Sequence, residues 1–442
     1  MRKTVKFGGS SLADAVQMRK VAAIILADES RRYVVPSAPG KRFKEDTKVT
    51  DMLIRCYEIQ KKDAEAGRRS FYDIEARYDS IIEELGLDLS LDEEYRQILS
   101  RLDEGTSLDY LASRGEYLNG IILAKLLGYR FLDAADYIFF DAKGNFDEAK
   151  TMTAFRAISP EERFVLPGFY GATENHRIHT FSRGGSDITG SIVSKAMASD
   201  VYENWTDVSG FLAADPRIVE NPSPIHEISY SELRELSYMG ASVFHEEAIF
   251  PARSAGIPIN IRNTNIPSDE GTWIVPDDQI TDAHKFITGV AGKKGFVSLS
   301  FEKDIGSDKL AFGRKVLQVF EEAMVMVEHV PSSIGTMTVV VDSAEISGKE
   351  ESILRRIRRE IDPYSVTIEH NLAMLAIVGV AMKDVIGMSA GILEELAKVG
   401  VSVKLVIQGI KEISLIVGVR EEDFEKTIKA LYAFAEKCNK DE

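Results

Sequence analysis

A lysine followed by two glycines and two serines, Lys6-Phe7-Gly8-Gly9-Ser10-Ser11, stands where a short apolar strand pattern (Thr4 to Phe7) gives way to a helical one. Glycines let a backbone approach a ligand, a helix N-terminus offers free N–H donors, and the lysine adds a charge; together these make a phosphate cradle. The lysine precedes the glycines, so the spacing is not that of a P-loop. A plain strand-to-helix turn with a solvated lysine is the competing reading. The device recurs at Phe181-Ser182-Arg183-Gly184-Gly185-Ser186-Asp187, ahead of a helical pattern carrying Ile188, Ile192 and Val193. Arg183 offers a planar fork suited to a carboxylate, and Asp187 suits orienting a lysine or helping to hold a Mg²⁺-nucleotide; alternatively the two pair across the turn. Trp205-Thr206-Asp207-Val208-Ser209-Gly210-Phe211, with Asp215-Pro216-Arg217 after it, sets polar groups behind an apolar strand where a nucleotide would be met, although Asp-Pro-Arg is also a common turn. Arg114-Gly115-Glu116 opens a further helical pattern, in which Glu116 meets a cationic amino group or caps the helix. His176, His179, His245 and His370 form neither an HExxH pair nor a Ser/His/Asp series.

The elements that must carry these residues alternate. After the first glycine turn, Leu12, Ala15, Val16, Ala22, Ala23 and Leu26 recur at helical spacing, and Ser11 with Asp14 three residues on forms a capping box that starts the helix directly after the glycines. Tyr33-Val34-Val35 runs into the small-residue turn Pro36-Ser37-Ala38-Pro39-Gly40, a second strand ending at a turn, which points to an α/β sheet with its site at the strand ends. From about Thr50 to Gly128 the chain is charged and helix-friendly, a helical insertion or lid. Strand patterns resume at Arg130-Phe131-Leu132, Phe164-Val165-Leu166 and Val201 to Trp205, and a first domain is expected to end near Val290. Beyond it one design appears twice: Arg314 to Val327 with Thr336 to Val341, then Gly387 to Val406 with Glu412 to Val419. Each is a βαββ-like unit too short to hold a comfortable core alone, so the two are expected to pair.

Composition narrows the function. A chain of 442 residues, 44% of them apolar, is long enough for two or three domains. Its formal net charge of −16, from 70 acidic and 54 basic residues, repels nucleic acid and anionic membranes. Cys56 and Cys438 lack the spacing of a zinc site or redox pair, which fits a reducing compartment. No apolar run approaches the roughly 18 residues of a membrane span, and no leader pattern opens the chain. The expectation is a soluble, cytoplasmic protein without a nucleic-acid or membrane partner.

Along essentially its whole length the chain resembles the aspartate kinases of the amino acid kinase family. The resemblance is carried by Lys6 to Ser11, Val34 to Ala38, Glu116, the unbroken Arg183-Gly184-Gly185-Ser186-Asp187, Trp205 to Gly210, and Asp215 to Arg217. It implies an α/β fold, an αβα sandwich around a mainly parallel sheet (1–290, helical insertion about 50–128). Two βαββαβ ACT-type regulatory domains would follow (291–442), the second unit at about 365–425 inserted in or following the first. It implies transfer of the γ-phosphate of ATP, with Mg²⁺, to the side-chain carboxylate of L-aspartate, on the route to lysine, threonine and methionine. Lys6, Gly8, Gly9 and Asp187 would be catalytic, with no direct protein-bound metal. Ser37, Thr50, Glu116, Arg183 and Ser186 would hold aspartate. Lys6, Gly9, Ser10, Thr206, Asp207, Phe211, Arg217 and Ser242 would line the nucleotide site. Ser242 stands in Gly240-Ala241-Ser242-Val243-Phe244-His245-Glu246, where many members carry lysine. Ser332, Ser333 and Gln408 would face an amino-acid effector, lysine or threonine, in a homodimer or dimer of dimers. Dimerisation alone for the C-terminal units, a non-catalytic amino-acid sensor, and a sibling kinase acting on another acid are the other readings.

Overall fold

Lys3-Thr4-Val5-Lys6-Phe7 forms strand β1 (Lys3–Phe7), buried from Thr4 onward on both faces, as befits the middle of a parallel sheet covered by helices. The structure, a computed structural model, describes residues 1–182, 184–241, 246–281, 286–304, 309–409 and 413–440. They group into two units: 1–211, 224–230 and 242–281 form the first, and 212–223, 231–241 and 282–442 the second. Two stretches that precede Val290 in sequence therefore belong to the unit that contains the C-terminal residues.

The first unit is built on eight strands. They are β1, β2 (Arg31–Pro36), β3 (Arg130–Phe131), β4 (Phe164–Val165), β5 (Val201–Thr206), β6 (Glu227–Ser229), β7 (Ile259–Asn263) and β8 (Thr272–Val275), in the order β6-β8-β7-β5-β1-β2-β4-β3. Every pairing is parallel except β7 with β8. Because β2 lies on one side of β1 and β5 on the other, the chain reverses its direction of winding there, and a crevice opens at the carboxyl ends of these three strands.

Helix α1 (Ala15–Leu26) does not start on the glycine turn. Gly9 to Leu12 form a single 3₁₀ turn, and Asp14 caps α1 by accepting from the Gln17 N–H at 2.9 Å. The expected capping box at Ser11 is thus corrected: Ser11 Oγ is hydrogen-bonded to Thr264 Oγ1 at 2.7 Å and has left the helix end to Asp14. The segment after Thr50 forms α2 (Val49–Gln60), α3 (Ala64–Leu85), α4 (Asp92–Asp103) and α5 (Leu108–Leu127). Leu53, Phe71, Tyr78, Tyr95, Leu102 and Leu111 share one core with Val5, Leu12, Val21 and Ile25, so these helices are a packed layer of the unit and not a lid.

In the second unit the repeated design shares one antiparallel sheet. It comprises β9 (Gly289–Glu302), β10 (Thr336–Asp342), β11 (Ser365–Val378), β12 (Leu405–Gln408) and β13 (Ser414–Arg420), in the order β10-β9-β11-β13-β12. The two long strands β9 and β11 pair from end to end, with register shifts around Phe296. One half of this sheet packs Leu299, Phe301, Val339 and Val341 against Val316, Phe320, Ile353 and Ile357 from α7 (Lys309–Glu322) and α8 (Glu350–Glu360). The other half packs Leu375, Ile377, Leu415 and Val417 against Ile392, Leu396, Ile428 and Leu431 from α9 (Met388–Lys398) and α10 (Phe424–Cys438). Sharing strands gives two short units the buried area that each lacks alone.

Candidate active site

The crevice is closed by backbone. Gly8 N–H donates to Trp205 O at 3.0 Å, Ser37 N–H to Phe7 O at 3.0 Å, and Gly40 N–H to Gly9 O at 2.8 Å, tying the ends of β1, β2 and β5 together. A Cβ on Gly40 would lie 2.5 Å from Gly9 C and 2.7 Å from Ser10 N, and one on Gly9 would lie 2.9 Å from Ala38 O. Two main chains cross at van der Waals contact here, which only glycine permits.

Beneath this crossing Lys6 Nζ lies 2.6 Å from Asp187 Oδ1, with the lysine side chain 9% and the aspartate 25% exposed. Asp187 occupies the first turn of α6 (Gly185–Ala196), where its negative charge suits the helix N-terminus. Gly184 takes the left-handed conformation (φ 59°) that starts the helix, and a Cβ on Gly185 would meet Phe169 Cδ2 at 2.5 Å. Asn204 Nδ2 donates to the same Oδ1 at 2.6 Å, and Tyr202 OH donates to the Asp187 carbonyl at 3.1 Å. The carboxylate is therefore held from two sides through one oxygen, while Oδ2 carries neither contact.

Glu116 lies in the middle of α5, which starts at Ser107, whose Oγ accepts from the Tyr110 N–H at 3.1 Å; the expectation that Arg114-Gly115-Glu116 opens the helix is corrected. Gly115 is accepted inside the helix because a Cβ there would press on Ala38 Cβ at 2.8 Å. Glu116 is 5% exposed and its Oε2 is buried without a hydrogen-bond partner among the described residues. Burial pushes its carboxyl up from 4.5 to about 8, with the Ala38 N–H pulling in the opposite direction. A neighbouring turn of α5 holds the strand end, since Asn119 Nδ2 donates to Ser37 O at 2.6 Å. Arg114 is no ion-pair partner for Glu116; its guanidinium stacks on Tyr110, Tyr117 and Tyr170 at 4.4 to 5.2 Å.

Glu116 joins Gly8, Gly9, Ser10, Ser37, Thr50, Thr206 and Asp207 in lining a cleft of about 580 Å³. Ala38, Pro39 and Gly40 of the turn after β2 also line it, as do Lys41, Phe43, Lys44 and Lys48, and none of these last four was singled out from sequence. The signal was there: Lys41-Arg42-Phe43-Lys44 and Lys48 put four basic residues in eight, immediately after the turn that ends β2. Other expected residues lie elsewhere. Ser186 is 8% exposed and packed so closely on Gly168 that a Cβ there would meet Ser186 Cβ at 2.6 Å. Phe211 is 4% exposed, its N–H bound to Thr272 Oγ1 at 2.8 Å. Arg217 belongs to the second unit, 88% exposed and paired with Asp215 two residues before it. Arg183 and Ser242, like His245, lie outside the described residues. Ser332 and Ser333 are exposed and Ser333 N–H donates to Thr336 O at 2.8 Å ahead of β10, while Gln408 ends β12 and accepts from Ser389 Oγ at 3.0 Å. These are the opposite edge strands, roughly 19 Å apart across the sheet at the usual strand spacing, so within one chain they do not share a pocket.

Comparison with known proteins agrees with this architecture. The amino acid kinase family matches residues 1–263 and an ACT domain matches residues 375–433. Aspartokinase 3 of Bacillus subtilis (strain 168) is 38% identical over 447 residues, 97% of this chain and 98% of that protein. The crystal structure of Clostridium acetobutylicum aspartate kinase, described as an allosteric enzyme, superposes with a TM-score of 0.91 at 45% identity, covering 99% of both chains. E. coli aspartokinase III in complex with aspartate and ADP shares the fold, with a TM-score of 0.74 at 22% identity over 98% of this chain and 99% of that one.

Proposed function

Starting from the fact that the chain belongs to the amino acid kinase family, we propose that it is an aspartate kinase, transferring the γ-phosphoryl group of ATP to the side-chain carboxylate of L-aspartate. The observation that carries the amino-acid part of this reading is Glu116: a buried carboxyl with an unpartnered oxygen, in the same cleft as Ser37 and Thr50, is matched by an ammonium group. Lys6 and the N–H groups of Gly8, Gly9 and Ser10 would receive phosphate oxygens, and Thr206 and Asp207 the rest of the nucleotide. Arg183 is assigned to the substrate α-carboxylate by the resemblance alone.

The reaction requires no covalent intermediate. An oxygen of the aspartate side chain forms a bond to the γ-phosphorus as the bond to the β,γ-bridging oxygen breaks, ADP leaves with that electron pair, and an acyl phosphate remains. Catalysis is then positioning and neutralisation of charge. The described residues contain no cluster of three metal-ligating side chains, but Mg²⁺ on a nucleotide needs only one or two carboxylates besides phosphate oxygens, and Asp187 Oδ2 fits that demand. Bound there, Mg²⁺ would neutralise phosphate charge, while Lys6 and Asn204 keep the Asp187 carboxylate in place.

Residues 1–290 would then be catalytic and 291–442 an ACT-type pair that binds lysine or threonine between copies in a dimer or dimer of dimers, through Ser332, Ser333 and Gln408. The separation of those residues in one chain favours a site completed by a second chain. No helix among the described residues is long and apolar enough to cross a membrane. The test is ADP release by purified protein with ATP and Mg²⁺. Turnover should require aspartate; turnover with glutamate or uridylate in its place, and none with aspartate, would overturn the assignment.

A further inference from the structure

Lys6 Nζ lies behind Gly8 of the cleft wall, where an added Cβ would come within 3.7 Å of it, and its charge is already matched by Asp187 at 2.6 Å. A nucleoside triphosphate and a dicarboxylic acid bring several negative charges into one cleft, and their approach is opposed by Coulomb repulsion unless further cations stand there. The segment from Pro39 to Thr50 carries Lys41, Arg42, Lys44 and Lys48 against Glu45 and Asp46. Arg42 is spent on Asp46, with Nε at 2.7 Å from Oδ2 and Nη2 at 3.0 Å from Oδ1, and the two guanidinium contacts hold that carboxyl below the ordinary range. Lys41 Nζ donates to the Lys44 carbonyl at 3.4 Å. Lys44 and Lys48 remain: both are exposed, both line the cleft, and among the described residues neither side chain has an ion pair or hydrogen bond.

The loop that presents them is fixed. At its start Gly40 crosses Gly9, and at its end Val49 N–H donates to Pro39 O at 3.1 Å, which closes the loop on itself. Arg77 of α3, 6% exposed, reaches in from behind: Nη1 donates to Thr47 O at 2.7 Å, Nη2 to Ala13 O at 3.3 Å and also to Gly40 O, and Nη1 lies 3.5 Å from Asp46 Oδ2. Such a loop sits between the glycine turn, where phosphates find N–H donors, and Ser37, Thr50 and Glu116, which would hold the acceptor acid.

We propose that Lys44 and Lys48 form a cationic clamp on the phosphoryl group in transit, screening the terminal phosphate of the nucleotide from the attacking carboxylate. This rests on the reading of the cleft as a site of phosphoryl transfer to an acid. Both lysines add charge and form no covalent bond.

The test compares binding of ADP and of β,γ-imido-ATP, by calorimetry, to the wild-type protein and to the Lys44→Met/Lys48→Met double variant. Both positions are exposed, so the variant should fold normally. Affinity for β,γ-imido-ATP should fall about tenfold or more, the effect of one lost charge-assisted contact, while affinity for ADP stays within about twofold. Lys44→Arg/Lys48→Arg, which keeps the charges, should recover most of the loss, and kcat should follow the same order. Equal weakening of both nucleotides, no weakening of either, or an arginine pair as poor as the methionine pair would overturn the clamp. If the wild-type protein shows no aspartate-dependent turnover yet its preference for β,γ-imido-ATP over ADP depends on the two lysines, the clamp stands and the choice of acceptor fails.

Discussion

The two ends of β1 each hold a lysine, three residues apart, and the surroundings of the two are opposite in kind. Lys3 is closed in: Nζ reaches Asp28 at 3.0 Å and Glu203 at 2.8 Å, and Glu203 also takes Arg31 Nε at 2.8 Å and Trp205 Nε1 at 2.9 Å. The indole in turn carries the guanidinium of Arg31 on its ring at 5.2 Å. Burial pushes the Glu203 carboxyl up, but Arg31 and Lys3 outweigh it and hold it below the ordinary range. Lys6 pairs with Asp187 and lies behind Gly8 of a cleft where, among the described residues, Glu116 lacks a partner for one oxygen and Lys44 and Lys48 lack anions. A charge network whose valences are all met is part of the fold, whereas one with groups left over awaits a ligand. Direction along the strand separates them, because only the carboxyl ends of β1, β2 and β5 meet glycine turns.

The sharpest separation should come from Glu203→Gln. Loss of a buried charge facing two cations is expected to cost about 3 to 5 kcal/mol of stability, read from the urea midpoint, with kcat of the folded protein unchanged. Because Glu203 is held below its unfolded value, its stabilisation is present above the ordinary carboxylate range and fades as pH falls through it, so the variant should also lose part of the acid limb of the stability curve. A fall in kcat at temperatures where the variant is fully folded would erase the distinction between the two ends.

Lys6→Met should do the reverse: kcat down by about 10² to 10³, the usual loss for one electrostatic stabiliser, with a smaller shift in Tm than Glu203→Gln causes. If the stability loss were the larger effect, Lys6 would belong with Lys3. Gly40→Ala tests the crossing that shapes the cleft. With a Cβ forced to 2.5 Å from the Gly9 backbone, about 1 to 3 kcal/mol of destabilisation and weaker nucleotide binding are expected together. Unchanged nucleotide affinity in that variant would detach the crossing from the site.

The smallest expected effect concerns Glu116 and protons. Its carboxyl sits at about 8 in the folded protein against 4.5 when free, so it is mainly protonated at pH 7, and stability without ligand should decline between those values and level off above. An ammonium group beside it favours ionisation, so aspartate binding at pH 7 should release part of a proton, measurable by calorimetry in buffers of different ionisation enthalpy. Glu116→Gln should release none from this source; identical release by both proteins would show that Glu116 does not meet the substrate.

Much of this was legible along the chain because it is local. Lys6 to Ser11 and Gly184 to Asp187 announce themselves through glycine and helix-start chemistry, and Glu116 was identified although its place within its helix was not, since Ser107 is the cap and Gly115 is tolerated only because Ala38 lies against it. Ser11 was misread as a cap because its partner, Thr264, is remote in sequence. Lys44 and Lys48 were not singled out because nothing in the order of residues tells which of the cations Lys41, Arg42, Lys44 and Lys48 are spent on neighbours. Ser186 and Phe211 are assigned to the site by the resemblance, and in the fold both residues are buried, Ser186 at 8% and Phe211 at 4% exposure.

By itself, then, the sequence determined where strands end in glycine turns, the helical character of the segment after Thr50, the repeated design toward the C-terminus, and the kind of chemistry Lys6 and Asp187 can do. Those follow from interactions between residues a few positions apart. Tertiary structure alone decided that Lys6 meets Asp187, that Gly40 must cross Gly9, that Glu116 keeps an oxygen without a partner, and that the C-terminal units share two long strands. Each of these depends on which groups become neighbours after burial, and the loss of water at those neighbours sets whether a charge is satisfied, shifted or left free to bind.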